Sequence, residues 1–166
     1  PGTYFVTLTT WNCRRLFQVE NYARLFLKTL FHYRREGQYL LHAFVLMPDH
    51  VHLLHTPAPD ITVERAVQLI KGGYSHALGT LIGRKSEIWQ RGFTDHRIRD
   101  GRDLVHHKNY IHQNPVAARL VATPSEYRYC SAFPGFKLDP WPPAAKAAVI
   151  GDAEIGTSGT RALPGS

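Results

Sequence analysis

Four stretches of the chain have the apolar, β-branched and aromatic composition that is typical of strands. The first is TYFVTLTT at residues 3–10, and the second is QYLLHAFVL at 38–46. The third, VHLLHT at 51–56, follows after a Met-Pro-Asp sequence, which predicts a tight turn. A shorter candidate is DHRIR at 95–99. The pattern therefore predicts four strands, of which the second and third are joined directly.

Three other stretches repeat apolar residues every three or four positions, which predicts amphipathic helices. The first covers residues 16–35, and the second covers 61–82 with Asp60 as a candidate N-cap. A third helix is expected to begin after a cap at Asp100 and to stop at Pro115, since proline cannot donate a helical hydrogen bond.

The order of these elements predicts the fold class. Strand, helix, strand, strand, helix, strand and a further helix is typical of an α+β sandwich of the ferredoxin or RNA-recognition (RRM) type. In that fold the helices pack on one face of an antiparallel sheet, and the other face can stay open. Because many functions share such a fold, the function has to be inferred from individual residues.

Positive charge is concentrated in the part of the chain that contains these elements. Residues 1–133 carry 17 Lys and Arg against 10 Asp and Glu, whereas 134–166 carry three of each. Such an excess attracts phosphate backbones and other anionic surfaces. Residues 134–166 are rich in Pro, Ala and Gly without a sustained period. We therefore predict one domain at 1–133, followed by a loosely attached or extended tail.

The composition argues against a membrane, disulfide or zinc-finger protein. No run approaches the ~18 apolar residues that a membrane span needs. Cys13 and Cys130 lie far apart and match no zinc spacing. We expect no membrane association and a reducing cytoplasm.

The third predicted strand contains the first candidate for chemistry. In LMPDHVHLLH, His50 and His52 stand on either side of Val51. Because side chains alternate along a strand, both imidazoles lie on one face, about 6.6 Å apart along the chain. Two neighbouring imidazoles form half of a site for a divalent cation. The alternative is a pair of partly buried histidines whose nitrogens are satisfied by hydrogen bonds.

The third predicted helix contains the second candidate, in the sequence LVHHKNYIHQNP at 104–115. At about 100° per residue, three polar residues fall within one turn of Tyr110 on the same face: His106, His107 and Asn114. The apolar residues of the other face are expected to pack on the core: Leu104, Val105 and Ile111. The alternative for Tyr110 is an amphipathic residue at the rim of the core.

Four segments, taken in their order along the chain, resemble the single-tyrosine HUH transposases. They are TYFVTLTT, MPDHVHLL, WQRGFTDHRIRD and YIHQNPVAARLV. Within that family they are most similar to the REP-associated tyrosine transposases, and the resemblance runs from about Thr3 to Phe133. It implies the HUH endonuclease fold, named for a His–hydrophobic–His motif that His50 and His52 match. It also implies that Tyr110 is the nucleophile and that Asn114 is the third metal ligand.

The resemblance further implies an enzyme that cuts and rejoins single-stranded DNA at hairpin-forming, palindromic repeat elements. The intermediate would be a 5′-phosphotyrosine, which stores the bond energy so that rejoining needs no ATP. Mg²⁺ or Mn²⁺ is the implied cofactor, although nitrogen ligands would also suit Zn²⁺. The implied partner is single-stranded or hairpin DNA, bound by a monomer or homodimer in the bacterial cytoplasm, at the nucleoid.

Further DNA contacts are expected from the segment between the second and third helices. A combination of aromatic rings, guanidinium groups and an imidazole suits unpaired bases and phosphates. The candidates are Trp89, Arg91, Phe93, His96, Arg97 and Arg99. Of these, Trp89 and Phe93 fit a place in the core equally well.

Three other functions are alternatives to this one. A histidine-triad hydrolase needs His-x-His-x-His, but position 54 is Leu54 and the next imidazole, His55, lies on the other face of the strand. A catalytically silent nucleic-acid-binding module would use an open sheet, but the glycine–aromatic signature of RNA-recognition domains is absent. An HUH replication initiator or relaxase would share the same basic chemistry.

Overall fold

The computed structural model describes residues 2–142, and a four-stranded antiparallel sheet lies at its centre. The strands are β1 (Tyr4–Thr9), β2 (Tyr39–Leu46), β3 (His50–Pro57) and β4 (Thr94–Arg97), in the order β2-β3-β1-β4. The helices are α1 (Glu20–Arg35), α2 (Val63–Ile82) and α3 (Gly101–Ala117). The predicted α+β class and antiparallel sheet are confirmed.

Helices α1 and α2 cover one face of the sheet. Val6 of β1 and Leu53 of β3 are fully buried there, together with Phe26 of α1 and Tyr74 of α2. The two helices also come close together at Gly73, where a Cβ atom would lie 2.5 Å from the hydroxyl oxygen of Tyr33. A larger residue at this position would require the phenol end of Tyr33 to move.

Helix α3 packs on the opposite face of the sheet, whereas the predicted fold has its helices on one face and can leave the other face open. Leu104 and Ile111 of α3 are buried there against Val45 and Leu54 of the sheet. Val105 was predicted to join this core, but its side chain is 54% exposed. Leu104 and Ile111 are seven positions apart and therefore share a face, whereas Val105 is turned by about 100° from Leu104.

The ends of α2 and α3 differ in part from the predictions. Asp100 caps α3 as predicted, because its Oδ1 accepts a hydrogen bond of 2.8 Å from the backbone N–H of Asp103. The helix does not stop at Pro115 but continues to Ala117, with the proline ring buried. Burial of the ring favours this position despite the missing N–H. At α2 the cap is Thr62 rather than Asp60.

The segment after Phe133 was predicted to be loosely attached, but residues 134–142 pack against the domain. The carboxylate of Asp139 accepts two hydrogen bonds of 2.8 Å from the guanidinium of Arg34. Its backbone N–H donates to the carbonyl of Leu41, and its carboxylate accepts from the Leu41 N–H. Since β2 is an edge strand, this segment satisfies polar groups that the sheet leaves unpaired.

The rest of the predicted tail, residues 143–166, lies outside the described residues. Within residues 2–142, no helix has the length and apolar character that crossing a membrane requires.

Candidate active site

The two histidines of the His-Val-His sequence lie side by side at the start of β3. His52 is paired with Thr7 across the sheet, and His50 is paired with Thr9. Their ring centroids are 4.8 Å apart. The side chains therefore share one face of the sheet, the face on which α3 packs, as the strand alternation predicted.

Hydrogen bonds to Nδ1 orient both imidazole rings. Nδ1 of His50 lies 2.7 Å from Oδ1 of Asp49, and Nδ1 of His52 lies 2.9 Å from the hydroxyl oxygen of Thr7. A metal-binding histidine typically coordinates through one ring nitrogen and is oriented by a hydrogen bond at the other. Because both Nδ1 atoms have partners, the Nε2 atoms are the ones left to bind an ion. The donor set fits a divalent cation.

Burial keeps His52 in the neutral form that a metal ligand needs. Only 5% of the residue is exposed, and this burial, with a smaller effect from His50, lowers its pKa to about 3. His52 is therefore uncharged at physiological pH. A neutral imidazole has a free lone pair, so no proton has to be displaced when a cation binds.

Tyr110 lies next to this pair. Its ring centroid is 5.3 Å from that of His52 and 5.9 Å from that of Phe5, which itself stacks on His52 at 5.2 Å. Half of Tyr110 remains exposed to solvent. The structure thus brings together the predicted tyrosine and the predicted histidine pair, with the tyrosine accessible to a substrate.

Asn114 follows Tyr110 by one helical turn and is partly buried. This spacing places it on the same face of α3 as Tyr110. Among the described residues, its side chain makes no hydrogen bond to His50 or His52. Its role as the third metal ligand therefore stays a prediction.

A second polar cluster, which the sequence did not reveal as a unit, joins β4 to α3. The carboxylate of Asp103 accepts a hydrogen bond of 2.8 Å from Nε2 of His96 and one of 2.9 Å from the backbone N–H of Arg99. Nδ1 of His107 is 3.2 Å from the same carboxylate, and the rings of His96 and His107 stack at 4.5 Å. The sequence signal was weak, because an acidic residue in the first turn is common to many helices.

Asp103 is ionised in this cluster. The hydrogen bond from His96, followed by that from the Arg99 backbone, holds the pKa of the Asp103 carboxyl well below its usual range. Ligand atoms of His96, Asp103 and His107 lie within 4.8 Å of one another, close enough to hold a metal ion. However, the guanidinium of Arg99 is 3.3 Å from the carboxylate and would repel a cation. The cluster is better suited to fixing α3 against β4.

Trp89 was a candidate for stacking on DNA bases, and the structure contradicts this. Its ring is 9% exposed and packs in the core with Phe17, Phe26 and Tyr74. The indole N–H donates to the backbone carbonyl of Lys71. The WQRGF segment has no regular period, so the sequence alone could not decide between core and surface.

The other DNA-contact candidates are distributed around β4. Phe93 is partly buried and packs against the same core. Arg91, Arg97 and Arg99 are exposed, and Nε of Arg99 is 3.3 Å from the Asp103 carboxylate. His96 is partly buried, and its Nε2 is committed to Asp103.

Comparisons with known proteins agree with this fold. Residues 3–114 match the family described as "Transposase IS200 like". A REP-associated tyrosine transposase of Escherichia coli K12 is 30% identical over 129 residues, which are 77% of this chain and 74% of the relative. A Haemophilus influenzae relative, provisionally given the same name, is 28% identical over 154 residues, 85% of each chain.

Solved structures point to the same group. A REP-associated tyrosine transposase bound to a REP hairpin superposes with a TM-score of 0.68 and 29% identity, over 78% of this chain and 76% of the other.

The antiparallel α+β fold and the exposed tyrosine beside a histidine pair define a single-tyrosine HUH enzyme. The chain belongs to the IS200-like transposases, and its relatives are the REP-associated tyrosine transposases. The sequence-based prediction of a DNA-cutting and DNA-joining enzyme of this family is confirmed.

Proposed function

We propose that this protein cuts and rejoins single-stranded DNA beside hairpin-forming repeat elements, with Tyr110 as the nucleophile. The observation that carries the proposal is the contact between the half-exposed Tyr110 ring and the buried, neutral His52. Other tyrosines fit the role less well. Tyr74 is fully buried, and the hydroxyl of Tyr127 donates to the carbonyl of Leu46.

In the cutting step the phenol oxygen of Tyr110 forms a bond to the phosphorus of one phosphodiester. The bond from phosphorus to the 3′ oxygen breaks, and that oxygen takes up a proton to become a 3′-hydroxyl. Because a phenol is protonated at neutral pH, its own proton has to leave during the attack. The reverse reaction, with a 3′-hydroxyl as the nucleophile, reseals DNA without another energy source.

The His50 and His52 rings, together with Asn114, would hold Mg²⁺ or Mn²⁺. A divalent ion at this position supplies a positive charge that stabilises the negative charge on the phosphate oxygens. The buried part of the site keeps the two rings in place, since Asp49 and Thr7 fix their Nδ1 atoms. The exposed Tyr110 leaves one side of the site open for a DNA strand.

The proposed substrate is a DNA hairpin with a single-stranded flank. The similar solved transposase is bound to a REP hairpin. The positive excess of residues 1–133 favours a DNA backbone, and the exposed Arg91, Arg97 and Arg99 are proposed to contact it. Such a substrate places the protein at the chromosome in the bacterial cytoplasm, as a monomer or homodimer.

The test is formation of a covalent protein–DNA adduct with a hairpin oligonucleotide that carries a single-stranded flank, in the presence of Mn²⁺. Tyr110→Phe removes one oxygen and keeps the ring, so it should bind the oligonucleotide but form no adduct. The matched control is Tyr129→Phe. The backbone carbonyl of Tyr129 accepts from Leu46 at the end of β2, and this variant should form the adduct normally. An undiminished adduct with Tyr110→Phe, or one mapped to another peptide, would overturn the assignment.

A further inference from the structure

An unusual loop follows β1 at the edge of the site. Trp11 is 39% exposed, although tryptophan is among the most apolar side chains. The next two residues, Asn12 and Cys13, both have positive φ angles, of 53° and 51°. Left-handed backbone is unfavourable for residues with a Cβ atom, and it persists only where the surroundings hold it in place.

Hydrogen bonds hold this loop in its strained conformation. The hydroxyl of the buried Thr10 lies 2.7 Å from the carbonyl oxygen of Arg14 and 3.0 Å from that of Asp49. The backbone N–H of Trp11 donates to the carbonyl of Ile88 at 2.8 Å, and the guanidinium of Arg14 donates to the carbonyl of Glu87. The backbone of Trp11 is therefore fixed on both sides, while its indole is exposed.

The loop adjoins the histidine pair directly. Thr9, the last residue of β1, is paired with His50. Asp49 connects the loop to the histidine pair. Its backbone carbonyl accepts a hydrogen bond from the Thr10 N–H, and its carboxylate accepts one from Nδ1 of His50. Trp11 thus lies two residues after Thr9, which is paired with the candidate metal ligand His50.

The exposure of Trp11 is not explained by packing inside the domain. Among residues 2–142, its indole N–H has no hydrogen-bond partner and its ring contacts no other aromatic ring. The four residues that follow it are exposed, and two of them, Arg14 and Arg15, are positively charged. An exposed aromatic ring in the same loop as guanidinium groups is a combination that binds an unpaired base and its phosphate.

We propose that Trp11 is a stacking site for an unpaired nucleobase of the DNA strand that enters the active site on the His50 side. Arg15, and the exposed part of Arg14, would contact the adjoining phosphates. This inference rests on the proposed DNA-cutting function and extends it, because it assigns a binding role to a segment outside the histidine–tyrosine constellation.

The test compares two oligonucleotides, a hairpin alone and the same hairpin with a single-stranded thymidine flank. Loss of one base–aromatic stack should weaken binding of the flanked hairpin by about tenfold in Trp11→Ala and leave binding of the bare hairpin unchanged. Trp11→Phe keeps a stacking ring and should recover most of the affinity. Leu81→Ala removes another exposed apolar side chain, at the end of α2, and should behave as wild type.

Two further measurements separate this proposal from the proposed function. The protein has three tryptophans, so wild-type fluorescence should fall when an unstructured thymidine oligonucleotide binds, and Trp11→Phe should lose most of that change. This readout does not depend on cleavage. If Trp11→Ala, shown by thermal melting to be folded, binds both oligonucleotides as wild type does, the stacking site is wrong even where Tyr110 forms its adduct.

Discussion

The hydroxyl oxygen of Thr7 lies 2.9 Å from Nδ1 of His52, directly across the pairing of β1 with β3. This contact fixes the orientation of an imidazole whose other nitrogen faces the candidate metal site. The register of the sheet therefore prepares the site, because a shift of one residue would replace Thr7 by an apolar neighbour.

Thr7→Val should weaken metal binding without unfolding the protein. Valine has nearly the same shape but cannot hydrogen-bond to His52, and removal of such an orienting partner typically costs about 10- to 100-fold in metal affinity. Calorimetric titration with Mn²⁺ measures the effect. Thr9→Val, on the same face of β1 opposite His50, removes a hydroxyl that makes no hydrogen bond to an imidazole among residues 2–142, and it serves as the control. Equal affinity in all three proteins would show that Thr7 does not support the site.

Local spacing in the sequence predicted which candidate residues share a face. His50 and His52 share a face because they are two residues apart in a strand, and Asn114 follows Tyr110 by one helical turn. The fold class followed from the order of the periodic segments, because short connections leave few topologies. Both predictions used only neighbours along the chain.

The parts that the sequence did not reveal depend on contacts between distant segments. Trp89 lies in the core because its ring fills the space between α1 and α2, and nothing in WQRGF reports that space. Asp139 attaches to β2 only because β2 is the edge of the sheet, and strand order is a property of the whole fold.

Asp103→Asn should loosen the helix that carries Tyr110. The amide keeps the shape of the carboxylate but lacks its negative charge, so its oxygen accepts more weakly from Nε2 of His96 and from the backbone N–H of Arg99. We expect a melting temperature lower by several degrees and slower adduct formation, because α3 would be held less firmly against β4. Asp95→Asn, an exposed carboxylate of β4, is the control.

The pH dependence of this effect has a defined sign. Because the pKa of Asp103 is depressed in the folded state, its contribution to stability is present above its unfolded value of 3.8 and is lost as the pH falls below it. The difference in melting temperature between wild type and Asp103→Asn should therefore be constant from pH 5 to 8 and should shrink towards pH 2. A difference that grows on acidification would contradict this role.

His55 should make the protein sensitive to mild acid. It is fully buried, and within residues 2–142 neither ring nitrogen has a partner in hydrogen-bonding geometry. Burial, followed by the nearby His42, lowers its pKa to about 3, and the backbone of Tyr4 offsets only part of this. Below pH 6.5 the imidazole of His55 binds a proton in the unfolded chain but stays neutral in the folded protein. The free energy of unfolding should therefore fall by about 1.4 kcal/mol per pH unit below that value.

His55→Leu should remove the part of this sensitivity that comes from His55, while the part that comes from the buried His52 should remain. Leucine fills much of the same volume without polar atoms, so stability at pH 7 should rise by about 1 kcal/mol and the dependence between pH 6.5 and 4 should become shallower. Urea unfolding at several pH values measures both. The control is His76→Gln, at an exposed position on α2, which should leave the profile of wild type. A variant with the same pH slope as wild type would show that His55 is not the acid-sensitive group.

Asp139→Ala should destabilise the domain even though the residue lies in the segment predicted to be loosely attached. It removes two hydrogen bonds to Arg34 and one to the backbone N–H of Leu41, so the unpaired edge of β2 loses an acceptor. Since both charged side chains keep about a fifth of their surface exposed, the expected loss is modest, about 1–3 kcal/mol by urea unfolding. Lys137→Ala, an exposed residue two positions earlier, is the matched control and should change stability by less than about 0.5 kcal/mol. If both variants unfold at the urea concentration of wild type, the contact with β2 adds nothing to stability. The stable domain then ends at Phe133, as the sequence predicted.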